Sequence, residues 1–362
     1  MKAAVMRAIN APMEIEEIAI SKPIGREVLV RVAAVGLCHS DLSVLNGTIE
    51  NPLPAVLGHE VAGYVEQVGP DVRTVKPGDH VIVCLTFYCG HCEQCHGGHA
   101  NRCMTPEAAR GEAEPPRLSL GHEALDGFMR IGGFAEQVLV HESGCVAIRR
   151  DMPLDRACLI GCGVTTGFGA ATRTAAIRPG ETVAIIGCGG VGLAAVNGAA
   201  VAGAGRIIAI DMIGSKLEMA RAFGATDTID ASAGNVVKQV KAMTDGRGVD
   251  HALELIGLKA TIEQAYAMLA KGGTATVVGV TSRETMVELP AITFLQERKI
   301  QGSFMGSVRP TIDIPNYVDL YMKGGLKLDE LVSRRRPLSE INLAVDDMYT
   351  GEIARTVITF DS

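Results

Sequence analysis

The sequence is short of the features that mark several large protein classes. It shows no secretory leader: Met1–Glu17 gathers acidic residues where an apolar core would stand. A leaderless chain in the cytoplasm is therefore expected. It has no unbroken apolar run of the roughly 20 residues a membrane helix needs. The most apolar stretch, Val183–Ile210, is broken by Asn197, Arg206 and several glycines. Positive charge is also scarce. The chain has 34 Lys and Arg against 41 Asp and Glu, a formal net charge of −7, and its longest basic run is Arg334–Arg336. That run reads as solvated surface, and the balance argues against a nucleic acid or an anionic membrane as partner. No internal repeat or low-complexity segment is visible.

What is present is a globular composition, 47% hydrophobic and 21% charged, in 362 residues. That length suggests two domains. Residues 1–150 carry short β-like runs, among them Ala3–Met6, Val28–Val32, Gly63–Val68 and Val81–Val83. Turn signals such as Lys76-Pro77-Gly78-Asp79 separate them, and no helical periodicity spans the region. An irregular antiparallel β domain is expected there. From about Pro153 strands alternate with helices: strand Thr182–Ile186, helix Val191–Ala202, strand Arg206–Ile210, helix Lys216–Phe223, a strand from Thr228. Strand Val249–Leu255, helix Thr261–Leu269 and strand Thr274–Val280 continue the series. Alternation of this kind makes a parallel, doubly wound α/β sheet. Helix-like Pro315–Lys323 and Leu338–Met348 and a strand Thr356–Thr359 close the chain.

Cysteine is plentiful, with ten residues. Four of them, Cys89, Cys92, Cys95 and Cys103, are spaced C-x2-C-x2-C-x7-C. Four thiolates so close saturate a tetrahedral zinc and leave no position for substrate, which makes the site structural. His91, His96 and His99 surround this lobe and read as exposed loop residues, since the tetrahedron is already complete. A scattered set, Cys38, His59 of Gly58-His59-Glu60, and Cys162, supplies three donors and leaves one position open, as a catalytic zinc requires. Taken alone, His59 reads more readily as a satisfied core histidine. Cys84, Cys145, Cys158 and Cys188 stand among apolar neighbours and read as core thiols.

Gly187-Cys188-Gly189-Gly190-Val191-Gly192 is a G-x-G-x-x-G that follows a strand and opens a helix. Asp211 stands 19 residues after Gly192, at the end of the next strand. This is the context of a dinucleotide-binding turn. The helix N-terminus offers N–H groups to the pyrophosphate. Asp211 would accept from the ribose hydroxyls and repel a 2′-phosphate, which favours NAD over NADP. A glycine-rich turn that binds nothing is the bland alternative.

With these motifs in order, from Lys2 to Arg355–Phe360, the chain resembles the zinc-dependent alcohol dehydrogenases of the medium-chain dehydrogenase/reductase superfamily. The resemblance implies a GroES-like catalytic domain, residues 1–163 and 304–362, and an NAD-binding Rossmann domain, residues 164–303. It implies two zinc ions per chain. Cys38, His59 and Cys162 would hold the catalytic one, with Glu60 a nearby acid able to join them. Asp41 would orient His59 and Ser40 would take the alcohol proton. His39 and Arg355 would meet the pyrophosphate, Asp211 and Lys216 the adenosine ribose, and Thr166 the nicotinamide side, with Ile256 and Val280 also binding the cofactor. Leu85, Phe304 and Val280 would line the substrate pocket or belong to ordinary core.

The resemblance further implies hydride transfer between a primary alcohol, aromatic or aliphatic, and NAD, with aldehydes or ketones as products, in a homodimer or homotetramer. Zinc would lower the pKa of a bound hydroxyl, by analogy with water at about 7 against about 15.7 in bulk. Two departures stand out. Where many members carry a relay histidine, this chain has Ser43. Near Ile49, flanked by Glu50, the glutathione-dependent formaldehyde branch has an acid, and Thr105–Asp126 also fits that branch poorly. A simple alcohol is thus expected ahead of a thiol adduct. A non-catalytic nucleotide-binding or zinc-buffering protein is the reading from another class, and the intact Ser40, Cys38, His59 and Cys162 set argues against it.

Overall fold

The computed structural model describes residues 1–105, 108–111, 113–349 and 353–360. The chain divides into two compact units. One comprises Met1–Cys162, Arg309–Gly324 and Leu328–Ser362; the other comprises Gly163–Val308 and Gly325–Lys327.

The second unit is built on a parallel sheet, six-stranded among the described residues. Its order is Asp227–Asp230, Arg206–Asp211, Thr182–Ile186, Val249–Glu254, Leu269–Val277, Lys299–Gly302. In chain order this is 3-2-1-4-5-6, the doubly wound arrangement, whose direction of winding reverses between the first and fourth strands. Strands Thr182–Ile186 and Arg206–Asp211 are apolar on both faces along most of their length, as buried parallel strands are. Ile185, Ile208 and Leu253 are fully buried. Helix Gly190–Val201 is buried along most of its length, so small residues are required. A Cβ on Gly192 would stand 1.8 Å from Gly187 O, and one on Gly198 would stand 3.0 Å from Phe168 O.

The boundaries differ from expectation at three places, the first being Gly163, which already belongs to the second unit. The chain leaves this unit after Val308, and it returns at Gly325–Lys327. The return is held by Asn197, whose Nδ2 donates to Gly325 O at 3.4 Å and whose Oδ1 accepts from Lys327 N at 3.1 Å. Helix Val236–Met243 and the edge strand Lys299–Gly302 were not expected. Helix Lys259–Ala267 stops before Leu269, which begins the next strand.

In the first unit the ten-residue strand Glu27–Gly36 is the spine. It pairs antiparallel with Glu60–Val68, Gln137–His141 and Arg355–Thr359. Pairing is mainly antiparallel, with parallel exceptions at Val332–Pro337 beside Arg355–Thr359 and at Ala55–Val56 beside Glu123–Gly127. Val28, Val30, Val35, Val61, Val83, Phe134 and Ile358 form the core between these strands. Each buried side chain of this kind contributes about 1.5–3 kcal/mol. The region is not free of helix: His39–Leu45 follows the spine strand directly, a seven-residue helix. Among the described residues no helix is long and apolar enough to cross a membrane.

Candidate functional site

Strand Glu27–Gly36 delivers Cys38 to the N-terminus of helix His39–Leu45. One turn in, the fully buried Asp41 reaches back. Its Oδ2 accepts from Cys38 N at 3.0 Å, and its Oδ1 accepts from Gly58 N at 3.0 Å. Gly58 has φ +88°, and a Cβ there would stand 2.7 Å from Phe134 N, so the turn before His59 demands glycine. His59 Nδ1 lies 3.2 Å from Asp41 Oδ1. The carboxylate assigns the ring proton to Nδ1, which leaves Nε2 with its lone pair. Nε2 is buried with no hydrogen-bond partner. The edge of Phe128 fixes the ring plane, with centroids 5.5 Å apart and an 84° interplanar angle.

Cys162 comes from a π-helical turn, Ile160–Val164, of the kind often found where a helix serves a site. Glu60 starts the strand after His59, and Gly36 leaves room for it: a Cβ on Gly36 would stand 2.3 Å from Glu60 Oε2. Donor atoms of Cys38, His59, Glu60 and Cys162 all lie within 4.8 Å of one another, and all four residues are buried. Arg355 Nη2 stands 3.5 Å from Glu60 Oε1.

Electrostatics reports the same crowding. Cys38 is held well below an ordinary thiol, because Cys162 hydrogen-bonds to it and outweighs burial, with the Arg355 guanidinium adding positive potential. Cys162 is pushed up by its bond to Cys38 and by burial. Burial pushes Glu60 to about 7 although Arg355 opposes it. A buried imidazole nitrogen without a partner, two thiols and a carboxyl within one small sphere fit a divalent, borderline-soft cation such as zinc.

The second cluster is Cys89, Cys92, Cys95 and Cys103, with sulfur atoms again within 4.8 Å. Sγ–Sγ separations are 3.5 Å for Cys92–Cys95, 3.6 Å for Cys89–Cys103, and 4.0 Å for Cys89–Cys95 and Cys92–Cys103. A tetrahedron with zinc–sulfur bonds of about 2.3 Å has edges of about 3.8 Å. The thiols are therefore set at zinc spacing, far beyond a disulfide. Cys89 N donates to Cys103 Sγ at 3.2 Å and Cys92 N to Cys89 Sγ at 3.4 Å. Backbone donation from His91 brings Cys89 down to about 6. His91, His96 and His99 are exposed, and none belongs to the cluster.

In the second unit, Gly187 has φ +95° and packs so tightly that a Cβ would stand 2.7 Å from Ile256 Cγ1. Gly189 caps helix Gly190–Val201, and a Cβ there would meet nothing within 4 Å. The three glycines thus divide into turn, open approach and helix–turn packing. Asp211 ends its strand with Oδ2 accepting from Cys188 N at 2.8 Å and Oδ1 from Ile213 N at 3.0 Å. It ties the fingerprint turn to the next strand, a role the sequence did not show. Lys216 lies half-buried on helix Gly214–Phe223. Thr166 Oγ1 stands 3.4 Å from Met305 Sδ. Ile256 and Val280 are exposed apolar side chains, as is Phe304.

The remaining expected residues lie in the first unit. Ser40 Oγ is 3.9 Å from Cys38 Sγ, and His39 is exposed. Arg355 is buried beside Glu60. Leu85 and Ile49 pack, half-buried, on the core. Ser43 Oγ donates to His39 O at 3.0 Å, one turn back along its own helix. Residues 106, 107 and 112, within the Thr105–Asp126 segment, lie outside the described residues. Phe128 and Gly36, which shape the site, went unnoticed in the sequence; their only signal is proximity in chain to site strands.

Comparison with known proteins extends these observations over the whole chain. Residues 25–150 match the alcohol dehydrogenase GroES-like domain, and residues 190–323 match the zinc-binding dehydrogenase family. The chain is 40% identical to the probable S-(hydroxymethyl)glutathione dehydrogenase 1 of Schizosaccharomyces pombe, over 99% of this chain and 96% of that protein. It is 37% identical to alcohol dehydrogenase 1 of Pisum sativum, over 99% and 97%. The benzyl alcohol dehydrogenase structure from Acinetobacter calcoaceticus superposes with a TM-score of 0.93 at 34% identity, covering 99% of each chain. With both domains, both cysteine-bearing clusters and the nucleotide turn accounted for, the chain belongs to the zinc-dependent alcohol dehydrogenases of the medium-chain dehydrogenase/reductase superfamily, oxidoreductases that work with zinc and NAD.

Proposed function

We propose that this protein interconverts primary alcohols, aromatic or aliphatic, with their aldehydes by hydride transfer to and from NAD. The observation that carries the reading is the buried, unpartnered Nε2 of His59 beside two thiols and a carboxyl. Cys38, His59 and Cys162 would hold a zinc ion with Glu60 at hand, and Cys89, Cys92, Cys95 and Cys103 a second, structural one. Bound at the first set, zinc supplies Lewis acidity toward a hydroxyl or carbonyl oxygen. NAD supplies the hydride acceptor.

The chain's own groups do the rest. Asp41 fixes the His59 ring. Ser40, 3.9 Å from Cys38 Sγ, takes the substrate hydroxyl proton. Asp211 receives the adenosine ribose and disfavours a 2′-phosphate. Lys216 assists Asp211 at the ribose; Thr166, Ile256 and Val280 face the nicotinamide; His39 and Arg355 serve the pyrophosphate.

The relatives support a second substrate reading about equally, since S-(hydroxymethyl)glutathione dehydrogenases stand at 40% and 38% identity. Ile49 favours the simple alcohol: it is apolar, half-buried on the core, and its N–H donates to Ser43 O at 2.8 Å. A polar thiol adduct gains nothing from that side chain. Initial rates, read as NADH absorbance with benzyl alcohol, ethanol, and formaldehyde plus glutathione, decide between them. Turnover only with the thiol present would overturn the preferred reading.

The assembly we propose is a homo-oligomer. The edge strand Lys299–Gly302 leaves one side unpaired among the described residues, and Ile292, Phe294 and Leu295 nearby are exposed. Such an edge with an apolar rim is a surface that a second copy covers.

A further inference from the structure

Glu254 is the last residue of strand Val249–Glu254 and is fully buried. It lies between the first and fifth strands, opposite Ile186 on one side and Val277 on the other. One carboxylate oxygen, Oε1, accepts from Ile256 N at 2.9 Å and Gly257 N at 2.8 Å. The Thr261 hydroxyl stands 2.8 Å from the same oxygen and is shared with Leu258 O at 2.9 Å. The other oxygen, Oε2, is buried with no hydrogen-bond partner. The main-chain oxygen of Glu254 accepts from Val278 N at 2.8 Å and Gly279 N at 3.0 Å. One residue therefore anchors two loops, the one after its own strand and the one after strand Leu269–Val277.

The two loops press on each other. A Cβ on Gly257 would stand 2.1 Å from Val280 O, and one on Gly279 would stand 2.2 Å from Gly257 N. Their tips carry Ile256 and Val280, both exposed, and Ile256 also packs on Gly187. An acid at a strand end that spends its carboxylate on the following loop's amides shapes that loop. The apolar ledge it shapes lies across the strand-order reversal from the fingerprint turn. In a doubly wound sheet each half takes one mononucleotide. Asp211 stands in the half that takes adenosine, so the ledge belongs to the nicotinamide half.

We propose that Glu254 is a positioning residue for the nicotinamide half of NAD, acting through the Ile256–Gly257 and Val278–Val280 loops. This rests on the dinucleotide reading of the second unit. Glu254 touches no cofactor atom itself, being wholly buried; it sets where Ile256 and Val280 stand.

The test is calorimetric titration of the purified holoenzyme with NADH and, separately, with AMP, which lacks the nicotinamide half. Glu254→Leu keeps the volume but leaves the two loop amides without their acceptor. It should weaken NADH binding at least about tenfold, the worth of roughly one buried hydrogen bond, with AMP binding changed less than about twofold. Glu254→Gln keeps an acceptor oxygen and should restore NADH binding to within about threefold of the unmodified protein. Thr261→Val removes only the hydroxyl and should weaken NADH selectively, by a smaller factor. A purely structural role would lower Tm and weaken both ligands together. Equal weakening of NADH and AMP, or no change in either, overturns the proposal. If Glu254→Leu does not fold, Thr261→Val decides, and no selective NADH loss there is equally fatal. Failure of the unmodified protein to bind either ligand would instead overturn the dinucleotide reading.

Discussion

Asp41 Oδ1 lies 3.2 Å from His59 Nδ1, and neither side chain is exposed to solvent. The same carboxylate holds the backbone N–H groups of Cys38 and Gly58, so one residue orients an imidazole and the chain on either side of the donor set. Removing it frees the ring and leaves two buried amides unsatisfied. Asp41→Asn should lower zinc affinity at the catalytic set by about 10–100-fold, the usual effect of losing a partner behind a metal-binding histidine. Competition with a chromophoric chelator measures it. Unchanged affinity would remove Asp41 from the site.

Asp211 accepts from Cys188 N and Ile213 N in the structure, beside its proposed discrimination against a 2′-phosphate. Asp211→Gly removes the carboxylate that would repel a 2′-phosphate, and also the acceptor for Cys188 N. The unmodified protein should prefer NAD by at least about tenfold in kcat/KM, consistent with like-charge repulsion of a few kcal/mol. The variant should lose that preference and some affinity for both cofactors. Comparable rates with NADP in the unmodified protein would contradict the assignment.

The proposed proton release turns on Ser40, with Ser43 off the path. Ser40 stands beside Cys38, whereas the Ser43 hydroxyl is spent on His39 O and points back along its helix. Ser40→Ala should cut alcohol oxidation by about 10²-fold or more. Ser43→His should raise the rate near pH 7 and flatten its dependence on pH, because a group titrating near neutrality then joins the path. His39→Gln checks the competing assignment: loss of the pH dependence in that variant alone, with cofactor affinity kept, would make His39 the base.

The parallel sheet could be read from the sequence because its first two strands, Thr182–Ile186 and Arg206–Asp211, are nearly unbroken apolar runs, the first ending on a glycine-rich turn. The two cysteine-bearing clusters were legible for another reason: thiolate spacing is tied directly to metal geometry. What escaped notice is short or half-exposed. Helix His39–Leu45 has seven residues, too few to show a helical period in a window of 11–18. Edge strand Lys299–Gly302 alternates nothing, since it is mostly exposed. The second duty of Asp211 and the whole role of Glu254 are hydrogen bonds to backbone, and backbone leaves no mark in a pattern of side chains.

Stability should depend on acidity through Glu27. This carboxylate is buried between Arg110, at 2.9 and 2.6 Å, and Arg117, at 2.8 Å. Burial works to raise its pKa, but the two guanidinium groups outweigh it and hold it below the ordinary 4.5. A depressed carboxylate contributes stability that is full above its unfolded value and is lost as pH falls through the folded one. Glu27→Gln leaves two arginines without their partner and should cost about 3 kcal/mol near pH 7. The Tm difference between variant and unmodified protein should shrink once the pH falls below about 4.5. A difference independent of pH would mean that packing, not charge, accounts for the loss.

The most direct test of the two-zinc account is the zinc content of the protein beside its turnover, by plasma emission spectrometry and NADH absorbance. The unmodified chain should carry about two equivalents, and Cys162→Ser about one, with turnover abolished and Tm nearly unchanged. Cys89→Ser should instead damage folding. One equivalent or none in a fully active unmodified protein would contradict the account.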